Sequence, residues 1–565
     1  MIRSGDAQPQ IELSHINQDR AEGTEKTSAN GLAVNEVAAH EETSAAQTSE
    51  RKPLNFYLAF LAINIVVFIF SLDSTGLSVA IPSIAEQLHG TTLQSFWAGI
   101  AFLLATVVTQ PLYTSLSDIY GRKGLFQLAF FFFTIGSIVF GLAPNMPAVI
   151  SGRLLQGLGG GGLDVLGEII VADMTVLKER PTYLGIMAIP TAVGSILGPS
   201  LGALLCQYAS WRWIGWINLP CLGVAYPLVL FCLKLKRVDS PLIQRTKQLD
   251  WIGIALFTSS CTLFVLPLSW AGTLYPWSSW KTLLPFLIGA FGLFIFAWYE
   301  SKPLMPIIPH RLFYPRTASA TLIGTFFQGM ILFSLMQYLP FFYQAVKNET
   351  LIHSALTLLP TSVASVLAAG SSAALVGPLK GYRWSIWISW FLVTLGTGLL
   401  ALLSVSSSKA MGFGIPIMWG WGVGALLRVP QLPIQASVAN INDTGLVIGL
   451  MMFLRLLGGL VGLAISSSVF SNVFEPSISK IIPYLPAELQ QLGDANMAIG
   501  FIPKLRTLDI PAESLLVIQK TYSDAFRAIF FAMTGASGLG LLSSLATEEL
   551  TLDKEERGQQ QFDST

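Results

Sequence analysis

From Asn55 onward the chain consists of long apolar runs separated by short polar breaks. "NFYLAFLAINIVVFIF" from Asn55, "LFQLAFFFFTIGSIVFGLA" from Leu125 and "LLPFLIGAFGLFIFAW" from Leu283 are representative. A helix needs about 20 mainly apolar residues to cross a bilayer, so runs of this kind predict membrane-spanning helices. By length and apolarity there are about fourteen, starting near Asn55, Gln94, Gly124, Pro147, Thr182, Trp211, Trp251, Ser279, Ala318, Thr350, Trp384, Ala410, Thr444 and Ala525. Residues 1–53 differ: three basic residues (Arg3, Arg20, Lys26) stand against nine acidic ones in the first 50, among Ala, Ser and Thr. That composition reads as a disordered cytoplasmic tail and not as a signal peptide, which would open with a basic region and an apolar core. A short polar tail, 546–565, closes the sequence.

Basic residues give the runs an orientation. With the N-terminus inside, the inner connections carry Arg122/Lys123, Lys178/Arg180, Lys234/Lys236/Arg237, Arg245/Lys247, Lys302/Arg311/Arg316 and Lys380/Arg383. The short outer loops have few, as the positive-inside rule requires, and the long outer loop near 475–524 is exempt from it. The sequon Asn348-Glu349-Thr350 then lies outside and Asn442-Asp443-Thr444 inside, so Asn348 alone is expected to carry a glycan.

Composition agrees with a bilayer setting: 52% of residues are hydrophobic and 12% charged, where soluble domains carry about 25% charged residues. Lys plus Arg (33) equals Asp plus Glu (33), and no basic cluster interleaves with aromatics, which argues against a nucleic-acid partner. Cys206, Cys221, Cys232 and Cys261 lie in or beside apolar segments without metal-ligand spacing, so neither a disulfide framework nor a metal is expected. "RLLQGLGGGG" from Arg153 places Gly157, Gly159 and Gly162 in the spacing of a dinucleotide-binding turn. No strand precedes them, so they read as small-residue helix contacts, and no cofactor is implied.

A charge at the bilayer centre costs at least about 2.5 kcal/mol on insertion scales, so membrane-embedded ionisable residues are functional candidates. At about 100° per residue, Arg153, Asp164 and Glu168 share one helix face, with about 16.5 Å between Arg153 and Asp164 along the axis. Asp73, in "LDSTGLSVAIP", is a further carboxylate at membrane depth. It is a proton-coupling candidate, the alternative being hydrogen bonds to backbone loosened at Ser74, Thr75 and Gly76. Arg428 in "GALLRVPQLPIQ" has three readings: a partner for a buried carboxylate, a contact for substrate, or a side chain reaching to the interface. Arg455 reads as structural. Gly194, Gly198 and Gly202 recur every four residues around Pro199, a strip for close helix packing. Trp211, Trp213, Trp216, Trp277 and Trp280 read as interfacial anchors.

Several motifs together resemble the major facilitator superfamily, in its fourteen-spanner drug:proton antiporter branch of fungal efflux pumps. "SLSDIYGRKG" is similar to that family's loop motif through Asp118, Gly121, Arg122 and Lys123, with Thr114 and Ile119 departing from it. "RLLQGLGGGG" resembles its fourth-span motif through Arg153, Gln156 and Gly157, and "GSILGPSLGALL" its antiporter motif through Gly198, Pro199 and Gly202. "LDSTGLSVAIP" matches the first-span motif at Asp73 and Pro82, and "GPLKGYR" from Gly377 echoes the loop motif. The resemblance implies an all-α membrane protein of two six-helix bundles, at 54–237 and 302–545, with two inserted helices within 238–301. It implies Asp118 meeting the N-terminal end of span thirteen near Thr444. It further implies proton-coupled efflux of hydrophobic or amphipathic small molecules such as drugs or toxins, by a monomer in the plasma or vacuolar membrane. Asp73, Arg153, Asp164 and Glu168 are then the coupling candidates, and Arg428 and Gln156 the substrate-binding ones. The competing functions are siderophore or amino-acid transport on the same scaffold, and ligand sensing without transport. An enzyme is not expected, since no triad or metal cluster is visible.

Overall fold

The polar breaks carry the caps that start helices. Thr91 and Gln94 form a reciprocal capping box, the Gln94 N–H donating to Thr91 Oγ1 at 3.2 Å and the Thr91 N–H to Gln94 Oε1 at 3.0 Å. Asn145 accepts from the Ala148 N–H at 3.0 Å, and Asp250, Thr350 and Ser408 each cap the N–H three residues on. In this computed structural model residues 52–236, 246, 249–271, 274–303, 305–379, 381–482, 489–490, 492, 498–499, 501–506, 508, 510–553 and 560–563 are described. The N-terminal tail expected over 1–53 thus lies almost wholly outside the described residues.

Among the described residues fourteen long helices follow in order: α1 (Leu54–Gln87), α2 (Thr92–Tyr120), α3 (Arg122–Gly141), α4 (Met146–Met174), α5 (Arg180–Tyr208), α6 (Asn218–Cys232), α7 (Trp251–Trp270), α8 (Trp280–Tyr299), α9 (Arg316–Val346), α10 (Leu351–Val376), α11 (Arg383–Leu400), α12 (Lys409–Arg428), α13 (Thr444–Ser479) and α14 (Ala512–Ser544). One turn, Trp213–Trp216, precedes α6, and a short helix, Gln431–Ala436, continues α12 past Pro430. Thirteen of these segments are long and apolar enough to cross a membrane. The fourteenth, α11, opens on Arg383, with Trp384, Trp387 and Trp390 diluting its aliphatic content. The last helix starts at Ala512 where the apolar pattern suggested Ala525, because its first turns are amphipathic and pack Ile518 and Tyr522 inward.

Helices α2, α3 and α4 pack closely in the first bundle, and α9 to α14 form the second around the pairs α9/α13, α10/α12 and α11/α14. The hairpin α7/α8 leans on the seam through α7, which touches α2 and α13. The bundles meet mainly through α5 with α10 and α2 with α13. Four glycines of α4 face α2 and α3: a Cβ at Gly157 or Gly161 would run into α2, and one at Gly159 or Gly162 into α3. They lie mid-helix and serve contact, as small residues do in membranes. The strip on α5 works likewise: a Cβ on Gly194, Gly198 or Gly202 would strike the backbone of α1 between Phe68 and Gly76. One residue, Gly121, joins α2 to α3, with a φ of 96° that other residues adopt under strain.

The tryptophans divide by environment. Trp213 and Trp280 are exposed as anchors should be. Trp211 is instead buried against Phe140, its Nε1–H donating to Gln87 Oε1 at 2.6 Å, and Trp277 donates to Ser468 of α13. Their indole N–H groups found protein partners, which draws these rings inward. The four cysteines are unpaired.

The α1/α5 contact makes a stability prediction. Gly202→Val drives a side chain into the Gly76 carbonyl and should destabilise by about 1–3 kcal/mol. Gly223→Ala, whose Cβ meets nothing within 4 Å, should stay within about 0.5 kcal/mol of the parent. Thermal unfolding in detergent checks both, and equal midpoints for the two variants would refute the close-approach account.

Candidate functional site

Five arginines are buried among the described residues: Arg122, Arg153, Arg180, Arg428 and Arg455. A guanidinium cannot shed its charge, so each needs compensation on the spot. Following their partners defines the site.

Arg153 of α4 meets Asp73 of α1, Nη1 to Oδ2 at 2.5 Å, with side chains 2% and 0% exposed. Gln156, one turn along α4, donates to Asp73 Oδ1 at 3.3 Å and accepts from Arg153 Nη1 at 3.0 Å. Asn218 of α6 donates to the same Oδ1 at 3.0 Å, and Ser137 Oγ of α3 accepts from both amides. The Phe102 ring of α2 lies 4.4 Å from the guanidinium carbon. Five helices of the first bundle therefore converge on one ion pair. Gln156 is fully enclosed within it, on the ion pair itself and not on an open cavity.

A second pair crosses between bundles. Arg428, the last residue of α12, donates through Nη1 to Glu168 Oε1 of α4 and through Nη2 to Thr191 Oγ1 of α5 at 2.8 Å. Gln431, just past the helix break, donates to Glu168 Oε2 at 3.3 Å. Of the three readings for Arg428, the structure has the carboxylate partner.

Asp164, one turn before Glu168, is partly exposed and accepts from Gln110 Nε2 of α2 at 2.9 Å. No cation lies within ion-pair distance of it among the described residues, although Glu168, Arg455 and Arg428 all act on it electrostatically. Arg455 of α13 is the matching oddity. It donates to Gln328 Oε1 at 3.1 Å and to the Leu427 carbonyl at 3.3 Å, both neutral. Among the described residues this cluster of α4, α12 and α13 thus holds two carboxylates and two guanidinium groups, with one ion pair and one separated pair. Arg153, Asp164 and Glu168, which the helical wheel put on one face, have three different sets of partners.

The loop motif closes the face that carries the basic loops. Arg122 pairs with Asp118 at 2.5 Å and Asp173 at 3.2 Å, and donates to Ser117 Oγ. Its guanidinium lies against Gly445 in the first turn of α13. A cation there opposes the helix dipole, so the pair with Asp118 and Asp173, not Asp118 alone, is what meets that helix end. Lys123 donates to the Leu230 and Leu233 carbonyls at 2.8 Å each, capping the C-terminus of α6. The C-terminal tail also contributes here. Gln560 Oε1 accepts from the Arg122 N–H at 2.7 Å, and Glu549 accepts from the Tyr382 and Arg383 N–H groups at 2.9 and 3.0 Å. Neither α3 nor α11 has a side-chain cap of its own, so one tail caps the corresponding helix of each bundle. On the opposite face Asn348 is exposed in the α9/α10 loop, with a φ of 54°.

Residues 63–463 match the Major Facilitator Superfamily. An MFS-type transporter of Aspergillus fumigatus, sphD, is 49% identical over 559 residues, spanning 99% of this chain and 96% of its own length. The MFS-type efflux pump LUC4 of a Fusarium species is 32% identical over 543 residues, 94% of this chain and 95% of its own. Two solved structures share the fold. The human organic anion transporter MFSD10 has a TM-score of 0.57 at 15% identity, covering 88% of this chain and 100% of its own. The proton:xylose symporter XylE has a TM-score of 0.52 at 11% identity, with 90% and 99% covered. With the paired bundles, the inserted hairpin and the loop motif at their seam, these matches establish that the chain belongs to the Major Facilitator Superfamily, as a multi-pass membrane transporter of small molecules.

Proposed function

We propose that this transporter exports a hydrophobic or amphipathic small molecule in exchange for protons, with Asp164 as the proton carrier. The observation that carries the proposal is the asymmetry among the buried carboxylates. Asp73 is sealed by a cation and two amides, and Glu168 by a cation and one amide. Of the three, Asp164 has one neutral donor and is partly open, so it is the one that a proton reaches without breaking an ion pair.

Charge counting supports antiport. With Asp164 and Glu168 ionised, the two carboxylates balance Arg428 and Arg455, and protonating Asp164 leaves one positive charge in excess. A cationic cargo held beside ionised Asp164 is repelled by that excess charge, so proton and cation exclude each other. An anionic cargo would be drawn in with the proton and travel the same way. The efflux pumps among the relatives favour export. On this reading Asp73, Arg153 and Gln156 hold the first bundle together, Glu168 and Arg428 couple the bundles, and Asp118, Arg122 and the α1/α5 strip serve the gate. The expected membrane is the plasma membrane, with Asn348 as the outer glycan acceptor.

Two experiments separate these roles. In vesicles carrying the protein, an imposed proton gradient should drive uptake or release of the lipophilic cation ethidium. Asp164→Asn should reduce gradient-driven transport to the level of empty vesicles while dye-for-dye exchange persists. Wild-type gradient-driven rates in that variant would remove Asp164 from the carrier role.

For the sealed pair, Asp73→Leu alone should destabilise by about 3–5 kcal/mol, because it strands the Arg153 charge. Asp73→Leu with Arg153→Met should recover most of that loss in thermal unfolding. A double variant no more stable than the single one would contradict the assignment of Asp73 as a structural lock.

A further inference from the structure

Three of the five buried arginines contact carboxylates directly, and Arg455 interacts electrostatically with Asp164 and Glu168. Arg180, at the start of α5, remains. It is 2% exposed, yet its bonds go to neutral acceptors only: Gln435 Oε1 at 2.7 Å, the Ala172 carbonyl at 2.8 Å and the Thr175 carbonyl at 3.3 Å. Asp173, the carboxylate that acts on it, is bonded to Arg122.

Arg180 lines a cavity of about 170 Å³ between the bundles, with Leu177, Gln435, Val438, Ile441 and Thr444 among the other walls. Thr444 is 3% exposed, and its Oγ1 has no hydrogen-bond partner. It opens α13, a helix of 36 residues. The residue that would normally cap this helix, Asp443, makes no side-chain cap bond. Its carboxylate is held instead by Arg311, in two bonds of 2.7 and 2.8 Å. A guanidinium without a carboxylate, an unpartnered hydroxyl and the positive end of a long helix therefore meet around one space. Helix N-termini and buried guanidinium groups share a preference for oxyanions.

We propose that this cavity is a binding site for an anionic phosphate group, either free phosphate or the headgroup of an anionic lipid. Arg180 and Thr444 are its ligands, together with the first turn of α13. The site is separate from the central cluster of Asp164 and Arg455, and it rests on the transporter fold alone, not on proton coupling. Because Arg180 belongs to the first bundle and Thr444 to the second, a bound phosphate ties the bundles together and stabilises the closure of the basic face.

The test is thermal unfolding of the purified full-length protein in maltoside micelles. One arm adds sodium phosphate against sodium chloride of equal ionic strength. The other adds micelles doped with phosphatidylglycerol against phosphatidylcholine. A saturable rise in midpoint with phosphate identifies a free oxyanion, and a rise with phosphatidylglycerol alone identifies a lipid headgroup. In either case the rise should disappear in Arg180→Gln and in Thr444→Val, and persist in Lys178→Gln, which removes an exposed charge two residues away. Thr444→Val keeps the side-chain volume and decides the matter if Arg180→Gln does not fold. No rise with either probe, or an equal rise in all variants, would overturn the site.

Discussion

A buried charge in a membrane protein must be compensated locally, by a counter-charge or by hydrogen-bond acceptors, and in this molecule that requirement governs how the helices meet. Arg153 and Asp73 have almost no contact with solvent, so neither side chain can swing away to water if the other is lost. Holding them at bonding distance fixes the relative depth of α1 and α4. The amides of Gln156 and Asn218 then add rotation and draw in α3 and α6. Apolar packing in lipid cannot supply this precision, because the lipid tails compete equally for every aliphatic surface.

The glycines make the pairing possible. Asp73 has a short side chain, and α1 must come close for it to reach Arg153. Gly194, Gly198 and Gly202 let the α5 backbone touch α1 on either side of Asp73, with Gly76 returning the contact. On α4, Gly157, Gly159, Gly161 and Gly162 draw α2 and α3 inward, which brings Phe102 and Ser137 to the same ion pair. The second bundle uses the same device where Gly458 and Gly462 of α13 abut α9, holding Arg455 next to Gln328. Spacing that fits either a nucleotide turn or a packing strip is thus resolved by what lies opposite each missing Cβ.

The spans and the candidate ionisable residues were largely legible in the sequence, since each depends on a local property: run length, a polar break, or a charge in an apolar context. The partners were not. Asn218 and Gln110 are neutral residues in apolar helices, and no local pattern distinguishes them from ordinary helix polar groups. Arg455 read as structural because a single cation beside glycines carries no sign of what faces it across the bundle. The helical wheel grouped Arg153 with Asp164 and Glu168, yet residues on one face of α4 meet different neighbours as the helix passes from the first bundle's interior to the seam. The tail caps from Glu549 and Gln560 were equally hidden, being set by where the chain returns after α14. An available clue was the absence of a capping residue before Arg122 and Arg383.

The same charge requirement constrains how the bundles move. On the proposed mechanism the basic face opens when α12 withdraws from α4, which separates Arg428 from Glu168. Each charge left alone in a low-dielectric space would be strongly unfavourable, so separation is feasible only if water enters or another charge takes the vacated place. Asp164 lies one turn from Glu168 on α4, and Arg455 of α13 interacts electrostatically with both carboxylates, so on that mechanism the separated pair is the one that compensates the broken one. On the proposed mechanism, protonation state and cargo charge decide whether that compensation is complete. On the proposed mechanism Asp164 and Arg455, which have no ion-pair partner among the described residues, are the elements that let a cross-bundle ion pair serve as a coupling joint instead of a permanent clamp.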